Sequence, residues 1–114
     1  MSEKETLDFS AAMDRVDNDQ DLFFELVDMF FEDYDAQMET ISKGVDALNF
    51  SDIEATAHAM KSALGNLGGM VAYDAAFSLE QAGRESISEN LREKFEAFKK
   101  AVADFKQAVS EKRG

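Results

Sequence analysis

The chain contains one histidine, His58, in a segment whose apolar residues recur with a helical period. At 100° per residue, the imidazole lies about 140° from the centre of the apolar stripe of that helix. We therefore expect the ring of His58 on the solvent side, where it could act as a nucleophile, an acid or base, or a metal ligand. The stripe consists of Ile53, Ala57, Met60, Leu64 and Leu67.

The side chains that follow His58 on the same side of this helix are cationic or small. Lys61, one turn along, can place an ammonium beside an anion carried by the imidazole. Gly65 costs a helix about 1 kcal/mol relative to alanine, and its bare backbone would let another protein approach the ring. Ser62 and Gly69 are small and would leave the same docking surface unobstructed. Close packing of Gly65 against the adjacent helix is the alternative, and the sequence leaves it open.

Other chemistries at His58 find less support. General acid–base catalysis needs a second converging group, and the nearest carboxylate, that of Glu54, has another explanation. The residues from Ser51 to Glu54 have the form of a capping box, in which the two side chains satisfy each other's backbone N–H groups. With one histidine and no cysteine, the chain lacks the ligand set of a typical zinc site. We therefore expect this chain to bind no metal and no cofactor.

The chain is acidic, with 24 Asp and Glu residues against 12 Lys and Arg residues and a net charge of −12. Binding to nucleic acids or to anionic membranes relies on basic residues, so we expect neither partner. No basic region followed by an apolar stretch begins the chain, and no segment has the length of a membrane span. The absence of cysteine fits the cytoplasm. The length predicts one domain over residues 1–114.

Nearly the whole chain is predicted to be helical, because it has no proline, few glycines and many helix-favouring residues. A short first helix is predicted from Asp8 to about Val16. Asp17 to Asp19 would cap a long second helix that ends at Asn49. The inward stripe of this second helix would be Phe23, Phe30, Tyr34, Gln37, Ile41, Val45 and Leu48.

Three more helices are predicted in the second half of the chain. The third begins at the capping box and ends at Gly68 and Gly69, and the fourth runs from about Val71 to Ala82 with Gly83 as its terminator. The last would bury Leu91, Phe95, Phe98, Val102, Phe105 and Val109. Together these elements predict an all-α fold, an antiparallel four-helix bundle with a short additional helix at its N-terminus.

Residues 57–68 resemble the core motif of the histidine-containing phosphotransfer (HPt) family: a histidine, two residues, a lysine, and then a small-rich stretch that ends in an apolar residue and glycine. Leu79 and Glu80 resemble the Leu-Glu pair of the helix that follows in this family. Helix order and length agree over about residues 7–110. Ser62 stands where most members have glycine, and its outward hydroxyl should be tolerated.

The resemblance implies that His58 is the phosphorylated residue, that Lys61 contacts the phosphate and that Gly65 opens access to the ring. Such modules are phosphocarriers with no catalytic activity of their own. The partner, a response-regulator receiver domain or a hybrid histidine kinase, supplies the aspartate, and Mg²⁺ is expected on the receiver. We expect the chain to be a monomer that exchanges a phosphoryl group with such an aspartate in a two-component phosphorelay.

Two other functions stay open at this point. The chain could be the phosphorylatable N-terminal domain of a chemotaxis-type histidine kinase, or a helical adaptor that binds receiver domains without phosphoryl transfer. Docking in any of these cases needs an exposed surface. Phe24, Phe31 and Met38 form a second apolar stripe on the second helix, and we expect part of it beneath the first helix and any remainder to be a docking patch.

Overall fold

Five helices joined by short connections make up the described part of the chain. The computed structural model describes residues 5–114. The helices are α1 (Phe9–Arg15), α2 (Gln20–Ala47), α3 (Phe50–Asn66), α4 (Met70–Glu85) and α5 (Leu91–Arg113). Within the described range there is no strand, and the prediction of an all-α fold is confirmed. None of these helices is long and apolar enough to cross a membrane.

Polar side chains begin the first three helices. Asp8 and Asp19 each accept a hydrogen bond from the backbone N–H three residues further on, at 3.1 and 3.0 Å. These caps agree with the predicted starts of α1 and α2. At the start of α3 the cap is Asn49, and the helix has begun at Phe50. The predicted capping box at Ser51 is therefore wrong, because Asn49 supplies the cap two residues earlier.

The four long helices form a ring in which α2 and α4 each pack against both α3 and α5. The predicted apolar stripes of α3 and α5 are buried in full, which confirms both. Leu48 is an exception on α2, because it adopts a left-handed conformation at the C-cap and its side chain points away from the core. The short helix α1 lies over the beginning of α2, where the rings of Phe9 and Phe23 meet edge to face at 5.5 Å.

The second apolar stripe of α2 is covered mainly by α5. The ring of Phe31 stacks on Phe105 with a centroid distance of 6.4 Å. The guanidinium of Arg113 lies 4.8 Å from the ring centroid of Phe24. Met38 is buried. None of the three residues is exposed, so the stripe does not form a docking patch. Partial cover of the stripe by α1 stays a prediction.

Gly83 brings α3 and α4 into close contact. It was predicted to end the fourth helix, but it is buried inside α4, which continues to Glu85. A Cβ at this position would lie 2.7 Å from the backbone nitrogen of Glu54 and 2.8 Å from the carbonyl oxygen of Phe50. Only glycine allows the two backbones to approach this closely. At this crossing, the face of α3 that carries Glu54 packs against the part of α4 that lies one turn before Gly83.

Gly68 ties α1 to the end of α3. Its φ angle of 78° is in the left-handed region, and a Cβ there would lie 2.5 Å from the carbonyl oxygen of Asp8. In return, the backbone N–H of Asp8 donates to the carbonyl oxygen of Gly68 at 2.7 Å. Since Asp8 is also the N-cap of α1, this contact fixes the start of α1 next to the C-terminal end of α3.

Candidate functional site

His58 projects from the exposed side of α3 towards α4. Its side chain is 60% exposed, which confirms that the ring is accessible to solvent. The ring is nevertheless held in place, because its Nδ1 lies 2.6 Å from Oε2 of Glu80. Its other nitrogen, Nε2, has no hydrogen-bond partner among residues 5–114.

Glu80 is a carboxylate in the apolar interface between α3 and α4. Its side chain is only 1% exposed, and it is the one charged residue among the buried ones of the described chain. Three side chains donate to it: His58 at 2.6 Å, Lys61 at 2.6 Å and Arg84 at 3.1 Å. Burial raises the pKa of Glu80, but the hydrogen bonds from Lys61 and His58 outweigh burial and leave its pKa below the ordinary value. Glu80 is therefore ionised at neutral pH.

The ionised state of Glu80 decides the proton position on a neutral His58 ring. A carboxylate can only accept hydrogen bonds, so Nδ1 of His58 must carry the hydrogen that lies between them. The lone pair of the neutral ring is then on Nε2, which faces solvent. In this arrangement Nε2 is an oriented and accessible nucleophile, while Nδ1 on the other side of the ring faces the fixed negative charge of Glu80.

Lys61 is held between Glu80 and two aromatic rings. Its side chain is 16% exposed, and its Nζ lies 5.1 Å from the ring centroid of Phe77 and 5.9 Å from that of Tyr73. Both distances are within the range of cation–π attraction. The ammonium thus lies beside His58, as the sequence predicted, but its strongest partner in this structure is Glu80. A contact between Lys61 and a phosphate stays a prediction.

Arg84 closes the site on the side opposite Lys61. Its Nη2 donates to Oε2 of Glu80, the same oxygen that accepts from His58, and its Nε donates to Glu54 at 3.0 Å. The hydrogen bond with Glu54, followed by the charge of Glu80, raises the pKa of Arg84. The interpretation of Glu54 as a capping residue is therefore wrong, because its carboxylate pairs with α4.

The three small residues assigned to the docking surface differ in position. Ser62 is exposed, as predicted. Gly65 is half-buried, and a Cβ there would lie 3.1 Å from Cδ2 of Tyr73, so close packing against α4 accounts for part of its role. Gly69 is buried at the start of α4, where a Cβ would lie 2.9 Å from the ring of Phe105. Its assignment to the surface is wrong, because the chain turns inward after Gly68.

Two shallow depressions meet at Asn66, towards the C-terminal end of α3. The first contains His58, Lys61 and Ser62, and Arg15 of α1 and Tyr73 of α4 complete its rim. The second is an apolar groove between α2 and α3 whose lining includes Met29, which is 54% exposed. Asn66 borders both. Further apolar side chains on this side of α2 are exposed, namely Leu22 and Leu26. The exposed apolar patch of α2 therefore consists of Leu22, Leu26 and Met29.

Comparison with known families decides what kind of domain this is. The family model described as "Hpt domain" matches residues 25–108, which is most of the chain. The chain belongs to the Hpt domain family. Within solved structures, this Hpt domain is similar to the crystal structure of histidine-containing phosphotransfer protein B (HptB) from Pseudomonas aeruginosa PAO1. The TM-score is 0.86 at 18% sequence identity, with 97% of this chain and 96% of that chain covered. No curated protein matches the sequence significantly.

The similarity confirms the helical fold of the Hpt domain, and the structure adds two site residues that the sequence interpretation assigned no role. These are Glu80 and Arg84. One signal for Glu80 was present in the sequence, because Ala72, Ala76 and Glu80 follow one another at steps of four on the buried face of α4. A charged residue in such a stripe is rarely buried unless it is paired. The spacing of four to Arg84 indicates one such partner.

Proposed function

We propose that this Hpt domain is a phosphocarrier that accepts a phosphoryl group on Nε2 of His58 and exchanges it with an aspartate of a response-regulator receiver domain. The single observation that carries the proposal is the 2.6 Å hydrogen bond between Nδ1 of His58 and Glu80. It leaves the Nε2 lone pair of the neutral ring directed to solvent, where a partner protein can reach it. Membership of the Hpt family supports the same chemistry.

In the proposed transfer, the Nε2 lone pair of His58 attacks the phosphorus of an aspartyl phosphate. The bond between phosphorus and the aspartate oxygen breaks, and its electron pair returns to the carboxylate of the partner. The ring keeps its Nδ1 hydrogen and becomes positively charged. In the reverse direction, the aspartate oxygen attacks, the N–P bond breaks, and the neutral ring recovers its lone pair. No proton has to leave or enter in either direction.

Glu80 suits both directions of this exchange. Its carboxylate lies against the ring nitrogen that shares the positive charge of the phosphorylated imidazole, so it stabilises that charge where it forms. Lys61 and Arg84 balance the charge of Glu80 when the ring is neutral. The side chain of Arg84 is 57% exposed and therefore has access to solvent. Lys61 is one helical turn from His58 on α3. Contact of Lys61 with the transferred group is part of the proposal, and its position one turn from His58 supports it.

The carrier role without catalysis of its own is also part of the proposal. Residues 5–114 contain no group of three or more His, Cys, Asp or Glu side chains that could hold a metal ion. Phosphoryl transfer requires charge neutralisation and in-line positioning of the reacting groups. Mg²⁺ bound to the receiver domain would supply the first of these. The apolar patch of α2 borders a groove that shares Asn66 with the depression of His58, and it offers a surface on which the receiver could dock.

A transfer experiment with radiolabelled receiver domains tests the function. Wild-type protein and a His58→Gln variant are incubated with a panel of phosphorylated receivers, and labelled phosphate on the Hpt domain is assayed for acid lability and stability in base. We expect labelling of the wild type by at least one receiver and none of the variant. Equal labelling of both would place the phosphate elsewhere. Receivers that bind the wild type but never transfer phosphate would favour the adaptor.

A further inference from the structure

Arg15 differs from the other three arginines of the chain. Arg84, Arg92 and Arg113 each form an ion pair with a carboxylate on a different helix or within the site. Arg15, at the end of α1, is exposed, and its Nη1 makes only a long hydrogen bond of 3.5 Å to the carbonyl oxygen of Ala11 in its own helix. Among residues 5–114 it has no carboxylate partner. Its guanidinium therefore keeps its donors available for another molecule.

The position of Arg15 relates this free cation to the histidine. Arg15 lines the same depression as His58 and Lys61, although it comes from a different helix. The contact between Gly68 and Asp8 fixes α1 next to the end of α3 and so places Arg15 on this rim. The family model begins at residue 25 and does not include α1. Arg15 is thus a feature of this chain that the family match does not account for.

The depression contains an exposed cation although the protein as a whole is acidic. Of the two cations in its lining, Lys61 is neutralised by Glu80 at 2.6 Å, and Arg15 has no carboxylate partner among residues 5–114. The chain as a whole has twice as many acidic as basic residues and a net charge of −12. At physiological ionic strength, charges more than about 8 Å apart are largely screened, so a partner at this depression responds mainly to the local cations. The local field favours an acidic contact surface although the whole protein repels one.

We propose that Arg15 is a docking residue that binds a carboxylate at the edge of the acceptor site of the receiver domain. The inference rests on the proposed function, because an aspartate acceptor with further carboxylates around Mg²⁺ is an acidic surface. Lys61 is unsuited to this role, since its ammonium is already bound to Glu80 and mostly buried. Arg15 stands on the rim, where its guanidinium can form paired hydrogen bonds with a carboxylate.

A docking residue changes how strongly the partner binds, and not the reaction after binding. An Arg15→Gln variant should therefore need a higher receiver concentration for half-maximal transfer and keep the same rate at saturation. The increase should be about three- to fivefold at low salt, as for the loss of an exposed charge pair. It should shrink when salt is raised from about 50 mM to about 300 mM. The lifetime of the phosphohistidine without receiver should be unchanged.

The experiment uses the chain of residues 1–114, phosphorylated by phosphoramidate, and a receiver to which the wild type is shown to transfer phosphate. Its control is Lys99→Gln, which removes one exposed positive charge from α5, diagonally across the bundle from α3. Thermal melting checks that each variant is folded, and Arg15→Lys should recover only part of the affinity, because it keeps the charge and loses the paired hydrogen bonds. The expected result is a weaker, less salt-dependent interaction for Arg15→Gln alone.

Three results would overturn the inference. The first is an unchanged half-saturating concentration for Arg15→Gln, and the second is an equal change for Lys99→Gln, which would indicate an effect of net charge. The third is a shorter phosphohistidine lifetime for Arg15→Gln at unchanged affinity, because Arg15 would then act on the phosphoryl group. In each case the wild type still transfers, so the proposed function stands. Transfer from the wild type to no receiver would remove both.

Discussion

Two helix interfaces of this bundle contain charged side chains, and they differ in where the charges lie. Between α3 and α4, the carboxylate of Glu80 is buried and accepts hydrogen bonds from three side chains. Between α2 and α5, aromatic rings make the contact, and the ion pair of Arg113 with Asp28 lies outside them, with side chains 45% and 60% exposed. The comparison indicates that the α2–α5 charges lie at the edge of an interface packed by aromatic rings, whereas the α3–α4 charges orient the imidazole of His58.

The energetics of the two ion-pair types support this distinction. Exposed pairs such as Arg113 with Asp28 contribute about 0–1 kcal/mol to stability. A buried carboxylate is costly to desolvate, and its hydrogen bonds often do no more than offset that cost. Stability alone therefore gives little reason to keep Glu80 in an apolar interface. Orientation of the His58 ring is a reason that the geometry does supply.

The largest effect is expected from Glu80→Gln. The amide has almost the same shape but no charge, so it neither fixes the Nδ1–H form of the ring nor stabilises the positive charge of the phosphorylated ring. Phosphoryl transfer through His58 should be at least about tenfold slower, a barrier increase of roughly 1.4 kcal/mol. The rate of transfer from a phosphorylated receiver measures this. Wild-type rates in a folded Glu80→Gln protein would contradict the orienting role.

Next in size is the effect of Gly83→Ala on stability. The added Cβ would lie 2.7 Å from backbone atoms of α3, which cannot move without separating the helices. We expect a loss of about 1–3 kcal/mol in the free energy of unfolding, measured with urea. Gly65→Ala is the matched control, because its Cβ meets only the ring of Tyr73, which can shift. Its effect should stay within about 1 kcal/mol, since alanine also favours the helix.

A pH series separates the charge of Glu80 from its shape. The folded-state pKa of Glu80 is below its ordinary value of 4.5, so its charge contributes stability that is fully present above the unfolded-state pKa. That contribution is lost as the pH falls through the folded-state pKa. The unfolding free energy of the wild type minus that of Glu80→Gln should therefore be constant above about pH 5 and fall in acid. A difference that rises in acid would mean that the folded-state pKa of Glu80 is raised and not lowered.

The smallest effect is expected from Asp28→Asn on the α2–α5 side. This change removes the exposed ion pair with Arg113, whose guanidinium still donates to the carbonyl oxygen of Phe24 at 3.1 Å and still covers the Phe24 ring. The free energy of unfolding should change by less than about 0.5 kcal/mol, and transfer through His58 should stay at the wild-type rate. A loss above about 2 kcal/mol would mean that charge, and not ring packing, joins these helices.

The sequence predicted the helices and the core well because both follow from local periodicity. The stripes of α3 and α5 are buried as expected, and His58 is exposed because its helical angle alone determines its side of α3. Glycine positions were predicted less well. Gly69 and Gly83 looked like surface or terminator residues, but they permit close contacts with Phe105 and Glu54. Such contacts depend on which helices become neighbours, and a single helical wheel does not contain that information.

The candidate site was predicted in part for the same reason. His58 and Lys61 share one helix, so their spacing was readable from the sequence. Glu80 and Arg84 come from α4, and their relation to His58 exists only after α3 and α4 have packed at Gly83. Glu54 was assigned to a cap by a local motif, whereas the tertiary partner Arg84 determines its actual contact. The orientation of the His58 ring therefore depends on the packing of α3 against α4, which brings Glu80 to its Nδ1.

We propose that Glu80 places the hydrogen on Nδ1 of His58 and thereby directs phosphorylation to Nε2. Nitrogen-15 NMR of the single histidine tests this most directly, because long-range couplings distinguish the two ring nitrogens before and after phosphorylation. For the neutral ring we expect the Nδ1–H form and, after reaction with phosphoramidate, a phosphoryl group on Nε2. A predominant Nε2–H form, or a phosphoryl group on Nδ1, would contradict the claim.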